Sequence, residues 1–414
     1  MERTLYRVFL GIAAAALFLP ASCYPFNLSL KPGHIDFLNL SLGQYTGGYS
    51  ITYKDGSAAG PFFPGDSILA TGKIIKSITT NGVIHLIGRP DTDTITLNVQ
   101  PGGVLAFREP GGGFIPIGSY AEFQMIGTDP AILSGNYRQE ADLDLMGLSW
   151  IPVGSYLGNK FTGSFDGNNN GIYNLFVNLF NPGGLFGDIE GGTVEKVHVR
   201  SGSVTAEMNA GGIAGYNTGG TVKACSNAAA VSGAFPGGIV GNLNGGEITA
   251  CYNTGAVSAS GSSSDSGGIV GRTHNSSKIT ACYNTGAVSA PGGSNIGGVV
   301  GVLGSGDKIT ACYNTGAVTR NGGYGGYCGG VVGRLDTGAG AVCNYWVKGV
   351  SDAAKGIGEP ASDVNAALFG FGEWPDPTFT EWGLGDGSDG ERYWKSLGAW
   401  NDGNPVYPKL WYEP

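Results

Sequence analysis

Histidine is nearly missing: the 414 residues hold four, His34, His85, His198 and His274, far apart and in no ligand spacing. A His-Glu-x-x-His box, which would place two imidazoles on one helix face around a zinc ion, is absent. So is a Gly-x-Ser-x-Gly elbow between a strand and a helix. Charge is scarce as well, at 13% of the chain, with 23 basic residues spread against 32 acidic ones. Phosphate recognition needs concentrated Lys and Arg, so no nucleic-acid partner is expected. Beyond residue 19 nothing approaches the ~20 apolar residues of a spanning helix. The repeated part of the chain also lacks an apolar stripe at helical spacing, which excludes helix there.

What the chain has is glycine, 76 residues of it, and repetition. Glu247-Ile-Thr-Ala-Cys-Tyr-Asn-Thr-Gly-Ala-Val257 returns almost unchanged from Lys278 to Val288 and from Lys308 to Val318. Ile248, Ile279 and Ile309 set the period at 31 and then 30 residues. A fainter copy keeps the offsets at Val222, Cys225, Asn227 and Val231, and an older one survives as Val194, Val197 and Val199. Self-similarity at this period marks a stacked repeat protein. Each unit is rich in β-branched residues, Ala, Ser, Thr and Gly, with short apolar runs, so it reads as several strands per rung. The Gly-Gly pairs and Thr-Gly steps are expected to supply positive φ at the corners.

Stacking such rungs in parallel puts each residue about 4.8 Å from its copy. Asn253, Asn284 and Asn314 would then form a file in which each amide bonds its neighbour and the corner backbone. Cys225, Cys251, Cys282, Cys312 and Cys343 would form a second file of small apolar side chains, poorly oriented for disulfides. Cys328 falls out of phase. Tyr252, Tyr283 and Tyr313 form an exposed aromatic ladder, read either as a ribbon for a glycan or peptide or as stacking that stabilises the coil. The loops Ser258 to Ser266 and Ala290 to Asn295 vary in length on one edge, where repeat proteins place recognition.

Gly237-Gly-Ile-Val-Gly241, Gly267-Gly-Ile-Val-Gly271, Gly297-Gly-Val-Val-Gly301 and Gly329-Gly-Val-Val-Gly333 resemble the motif of the GLUG repeat family of bacterial surface proteins. The resemblance covers roughly residues 135 to 347, and its leader fits at Gly135 to Leu145, Trp150 to Gly154 and Phe161 to Gly167. It implies a parallel β-helix and a surface-displayed, adhesin-like role. Similar repeats also accompany immunoglobulin-cleaving zinc peptidases, whose metal box this chain lacks.

Residues 1–22 read as a signal peptide, with Arg3 and Arg7 before an apolar run from Val8 to Leu19. Pro20-Ala-Ser-Cys23 resembles a lipoprotein cleavage box in which Cys23 becomes the acylated first residue; ordinary cleavage nearby is the alternative. Attachment to a membrane would then be through the lipid anchor only. Residues 23–118 read as a small all-β, sandwich-like domain, with strands at Ser50 to Tyr53, Ser67 to Ala70, Val83 to Gly88, Thr94 to Val99 and Val104 to Phe107. Residues 119–134 form a capping helix and linker, with Tyr120 to Ile126 apolar at 120, 123 and 126. Residues 135–347 are the β-helix. Residues 348–414 carry five of the seven tryptophans, with Trp346 just before them, and are expected to plug the last rung, since a solenoid end must be covered.

Carboxylates are the remaining candidates for chemistry, because parallel β-helices host enzymes that act on polysaccharides. Asp142, Asp144 and Asp166 sit in the leader, where a strand and a turn account for them. Asp386-Gly-Ser-Asp-Gly-Glu391 resembles the start of a calcium loop but has Leu397 at the distal Glu position, so an Asx-rich turn is expected. The expectation is therefore an all-β protein: a right-handed parallel β-helix of about seven coils, roughly 33 Å long, with an N-terminal β domain and an aromatic-rich C-terminal cap. It would be exported to the bacterial cell surface or outer membrane and act in adhesion or as a scaffold. A host glycan or extracellular-matrix protein is the expected partner, with no catalysis, metal or cofactor. The alternative is a polysaccharide-processing lyase or hydrolase.

Overall fold

The structure is a computed structural model of the full chain. Before residue 114 it describes only the strands Phe26–Leu30, Tyr49–Tyr53, Ala58–Phe62, Ile75–Thr80, Val83–Leu86 and Ile95–Val99. From residue 114 on it describes all residues except 128–132, 181, 262–263, 292–293, 322–324, 348–351, 354, 363–365, 369–373, 390, 400–404 and 414. The signal segment, Cys23 and the strands expected at 67–70 and 104–107 lie outside the described residues. The chain divides into two compact units, residues 1–125 with 136–138, and the remainder.

In the first unit Phe26–Leu30 pairs antiparallel with Ile95–Val99. Tyr49–Tyr53 lies between Ala58–Phe62 and Ile75–Thr80, and the latter pairs with Val83–Leu86, all antiparallel. Tyr120–Ile126 is α-helical. Among the described residues no helix is long and apolar enough to cross a membrane.

The second unit is a parallel β-solenoid of about eight turns. One rung runs through Lys278–Thr280, Tyr283–Asn284, Val288–Pro291, Asn295–Gly297 and Val300–Leu303, then returns to Lys308 one level along. The repeats stack in strict register, Ile248 on Ile279 on Ile309 and Asn253 on Asn284 on Asn314. The inward Ile, Val, Ala and Cys of these rungs are almost fully buried. Burial of each large apolar side chain contributes ~1.5–3 kcal/mol.

The asparagine file closes as expected. Asn227 Nδ2 donates to Asn253 Oδ1 at 2.9 Å, Asn253 to Asn284 at 2.9 Å and Asn284 to Asn314 at 2.8 Å. Each amide also donates to the carbonyl two residues on and accepts that residue's N–H, as Asn284 does with Gly286. Every amide of this file is thereby paired, which removes the penalty of a polar group in the core. The file ends at Trp346, which stands on Asn314.

Two corner expectations need correction. The glycines of the Gly-Gly-x-Val-Gly arcs do not adopt positive φ; Ala224, Ala250, Ala281 and Ala311 do, at 52° each. Alanine is small enough to tolerate the left-handed corner beside the next rung. The arc glycines are required by close approach instead: a Cβ on Gly301 would stand 2.5 Å from the Ser266 amide nitrogen, and one on Gly268 would stand 2.2 Å from the Asn284 side chain. Cys343 is also off the cysteine file. It takes the alanine corner at φ 51°, and Asn344 takes the cysteine position, its Oδ1 accepting the Cys312 N–H at 2.9 Å where other rungs use Sγ. All six described cysteines are free thiols.

The aromatic cluster at the C terminus lies along the flank of the coil as well as near its end. Trp382 and Trp394 are fully buried, and with Tyr393, Leu397 and Leu410 they pack on Ala250, Ala281, Ala311, Tyr283 and Tyr313. Tyr412 reaches back to the early rungs, stacking on His198 at 5.5 Å and donating to the Ala250 carbonyl at 2.8 Å. The segment beyond residue 348 therefore covers two surfaces: Lys355–Glu359 and Ala366–Leu368 pair with the strands of the last rung, and the aromatic part that follows straps a side face.

Candidate functional site: a variable stripe on the glycine-arc face

The tyrosine ladder is formed but closed. Tyr252 and Tyr283 stack at 5.0 Å and 4°, Tyr283 and Tyr313 at 4.7 Å and 2°. Tyr283 and Tyr313 are 5% and 2% exposed beneath the strap. Tyr283 donates to Glu413 at 2.6 Å and Tyr313 to the Pro408 carbonyl at 2.6 Å. Burial, with Tyr313 and Glu413 nearby, pushes the Tyr283 phenol far above its ordinary range and keeps it neutral. The exposure expected of these residues is not found, and the ladder as it stands presents no ribbon to a ligand.

The leader carboxylates are structural. Asp142 accepts the Gly171 N–H at 2.6 Å, Asp144 caps Met146 at 2.7 Å and accepts from Asn174 at 2.8 Å, and Asp166 caps Asn168 at 2.8 Å. Asp386 and Asp389 likewise close Asx turns on Ser388 and Glu391. No group of three or more His, Cys, Asp and Glu arranged to hold a metal occurs among the described residues.

The open feature lies on the glycine-arc face. Because the three arc glycines are fixed by backbone contact, the first outward side chain after each arc is the residue following its last glycine. Down the coil these residues stack as Asp188, Tyr216, Asn242, Arg272, Val302, Arg334 and Glu359. The asparagine and cysteine files each repeat one residue type over four rungs; this file, of which Asp188, Asn242 and Val302 are buried, changes at every rung.

Around Arg272 and Arg334 the stripe opens into a hollow of about 320 Å³ lined by Asp265, Arg272, His274, Asn295, Val302, Arg334 and Asp336. Arg272 Nη2 lies 2.6 Å from Asp265 Oδ2 and its guanidinium stands 3.5 Å over the Phe235 ring. Asn295 Nδ2 donates to Asp265 Oδ1 at 2.8 Å. One level past Val302, Arg334 Nε meets Asp336 Oδ1 at 2.9 Å. Each guanidinium therefore arrives with its own carboxylate, giving a donor and an acceptor side by side at both ends of the hollow.

Toward the N-terminal end Asp188 is fully buried, with Lys160 Nζ 3.6 Å away and Glu190 on the same ammonium at 3.1 Å. Desolvation raises its pKa to about 6, against the opposing pull of Lys160. Tyr156 stacks on Tyr216 at 4.9 Å. Both Asp188 oxygens, Asn209 Oδ1, Asn242 Oδ1 and Arg272 Nε are buried without a hydrogen-bond partner. Such groups are rare in native interiors and call for a ligand, water or movement.

Of the hollow's residues sequence reasoning named only His274, and only as a histidine in no ligand spacing. The loops flagged for variable length do contain Asp265 and Asn295, and the missed signal was one changing residue inside an otherwise constant frame.

No family model matches the chain, so the GLUG resemblance is without that support, and no curated protein matches it. Two solved structures are similar to part of this chain. One is described as a "putative immunoglobulin A1 protease" from Bacteroides ovatus: 23% identity, TM-score 0.40, covering 59% of this chain and 68% of that one. The other is named "IgA1 Protease": 20% identity, TM-score 0.43, covering 63% of this chain and 20% of that one. This chain thus spans about a fifth of the second protein. The expectation of a chain without catalysis is withdrawn on this finding, since both proteins carry protease names. Those names belong to the two proteins; at this level of likeness no activity comes with them.

Proposed function

We propose that this chain is an exported surface protein, held at the membrane by acylated Cys23, whose solenoid binds an extended host glycan or extracellular-matrix protein along the glycine-arc stripe. The supporting observation is the contrast within the rungs: inward residues stay apolar, or stay Asn or Cys over four rungs, while the residue after each arc changes between charged, polar and apolar and, at Arg272 to Arg334, borders an open hollow. In a stacked repeat, side chains freed from packing are the ones available to recognition.

The test is an array of glycans and matrix proteins probed with the purified protein and with Arg334→Ala, reading retained protein and released products together. Selective retention that weakens in Arg334→Ala supports the reading. No retention on any surface, or equal retention by the variant, sinks it, and released product would identify a turnover reaction at the same surface. Palmitate labelling that persists in Cys23→Ala would refute the anchor.

A further inference from the structure

Resting on that reading, we propose that the stripe takes an unbranched, uncharged polysaccharide lying parallel to the solenoid axis, bound through its hydroxyls, and that polyanionic glycans are poor ligands.

The chemistry of the hollow carries the argument. A hydroxyl is both donor and acceptor, whereas a carboxylate or sulfate only accepts. A site for an anion would leave its guanidinium groups unpaired and ready for bidentate contact. Here each arginine is already engaged, Arg272 by Asp265 and Arg334 by Asp336. Each pair instead offers the donor-plus-acceptor combination that a hydroxyl completes on both sides. Along the stripe five carboxylates, Asp188, Glu190, Asp265, Asp336 and Glu359, stand against three cations, Lys160, Arg272 and Arg334, so a polyanion meets no net attraction. Of the buried atoms near it without a hydrogen bond, the Asn209 and Asn242 oxygens are acceptors and call for donors.

The direction follows from the stacking. Arg272 and Arg334 sit two rungs apart with Val302 between them, a separation of about 9.6 Å at the strand spacing of parallel sheets. The paired-charge element therefore recurs along the axis on alternate rungs, with a small apolar residue between. A polymer whose sugars turn over at every second unit, laid along that axis, presents equivalent hydroxyls at such intervals.

Affinity electrophoresis of the purified full chain in gels containing glucomannan or linear mixed-linkage β-glucan, and in parallel gels containing polygalacturonate, hyaluronan or heparin, tests this. Retardation by a neutral polymer, unchanged when NaCl is raised from about 0.05 to about 0.5 M, is expected because screening does not touch uncharged ligands. Val302→Trp should fill the floor and weaken retardation about tenfold or more, and Asp336→Ala, at an exposed position, should weaken it similarly by stranding a hydrogen bond. Retardation confined to the acidic polymers and lost with salt would overturn this inference while leaving the stripe as the binding surface. Retardation by a neutral polymer that both variants retain in full would overturn it too. No retardation in any gel removes the saccharide altogether, and retention on a matrix protein in the array would then show whether the broader reading stands.

Discussion

Two faces of the same rungs have opposite fates. The tyrosine face repeats one residue over the successive levels of Tyr252, Tyr283 and Tyr313, stacks the rings nearly parallel and is then covered by the C-terminal aromatic cluster. The glycine-arc face changes its outward residue at each level and keeps a hollow open. Repetition with coverage is what a stability element needs, because identical side chains stack without gaps and the apolar surface must leave water. Variation with exposure is what recognition needs. A ladder of exposed-looking aromatics was the more conspicuous binding candidate, and it is the one the fold buries.

The strongest way to break this contrast is to uncover the tyrosine face. Ending the chain after residue 373 removes Trp374, Trp382, Trp394 and Trp411 and lays Tyr252, Tyr283 and Tyr313 bare. We expect aggregation and dye binding to exposed apolar surface; a soluble monomer with a cooperative melt would show that the strap is dispensable and the ladder a legitimate ligand face.

Next in size is the polar file inside the coil. Asn284→Ala removes bonds to Gly286, Asn253 and Asn314 and strands their partners in the core, at a cost of about 3–5 kcal/mol from several buried unpaired groups. Denaturant melts of the variant measure it, and a loss under ~1 kcal/mol would mean the file is decorative.

A third test separates the faces by pH. Desolvation, with Arg200 nearby, lowers the His198 pKa to about 4 where Tyr412 stacks on it. Between pH 6.5 and 4 the unfolded chain therefore takes up a proton that the folded chain refuses. Stability from this group is present above pH 6.5 and is lost as pH falls through that window, by about 2–3 kcal/mol. His198→Phe should flatten this loss in urea melts at pH 7 and pH 4.5. An unchanged slope would detach His198 from the strap's stability.

The smallest stability effect belongs to the stripe. Arg334 and Asp336 are 41% and 38% exposed, so Arg334→Ala should shift stability by less than ~0.5 kcal/mol. The same substitution should weaken ligand retention. A large loss of stability would move Arg334 from recognition to structure and erase the contrast.

Much of this was legible beforehand. The 30- and 31-residue period, the in-register asparagine file and the several strands per rung follow from residue offsets, because parallel stacking turns sequence spacing into spatial ladders. The cysteine file was read one residue too far at its end: only the register of Ala341 on Ile309 shows that Asn344, not Cys343, follows Cys312. The role of the arc glycines was misassigned because positive φ and close approach leave the same mark in a sequence, a missing side chain. The stripe was illegible for a related reason. A changing residue inside a constant motif looks like drift until the rungs are stacked.

By itself the sequence determined the rung: which residues point inward, how many strands share a level and where the polar file runs, since all of these depend on contacts between copies at a fixed period. Tertiary structure alone decided which outward face meets solvent. That choice depends on where residues 374–413 return along the coil, and a contact such as Tyr283 to Glu413, 130 residues apart, has no period to announce it.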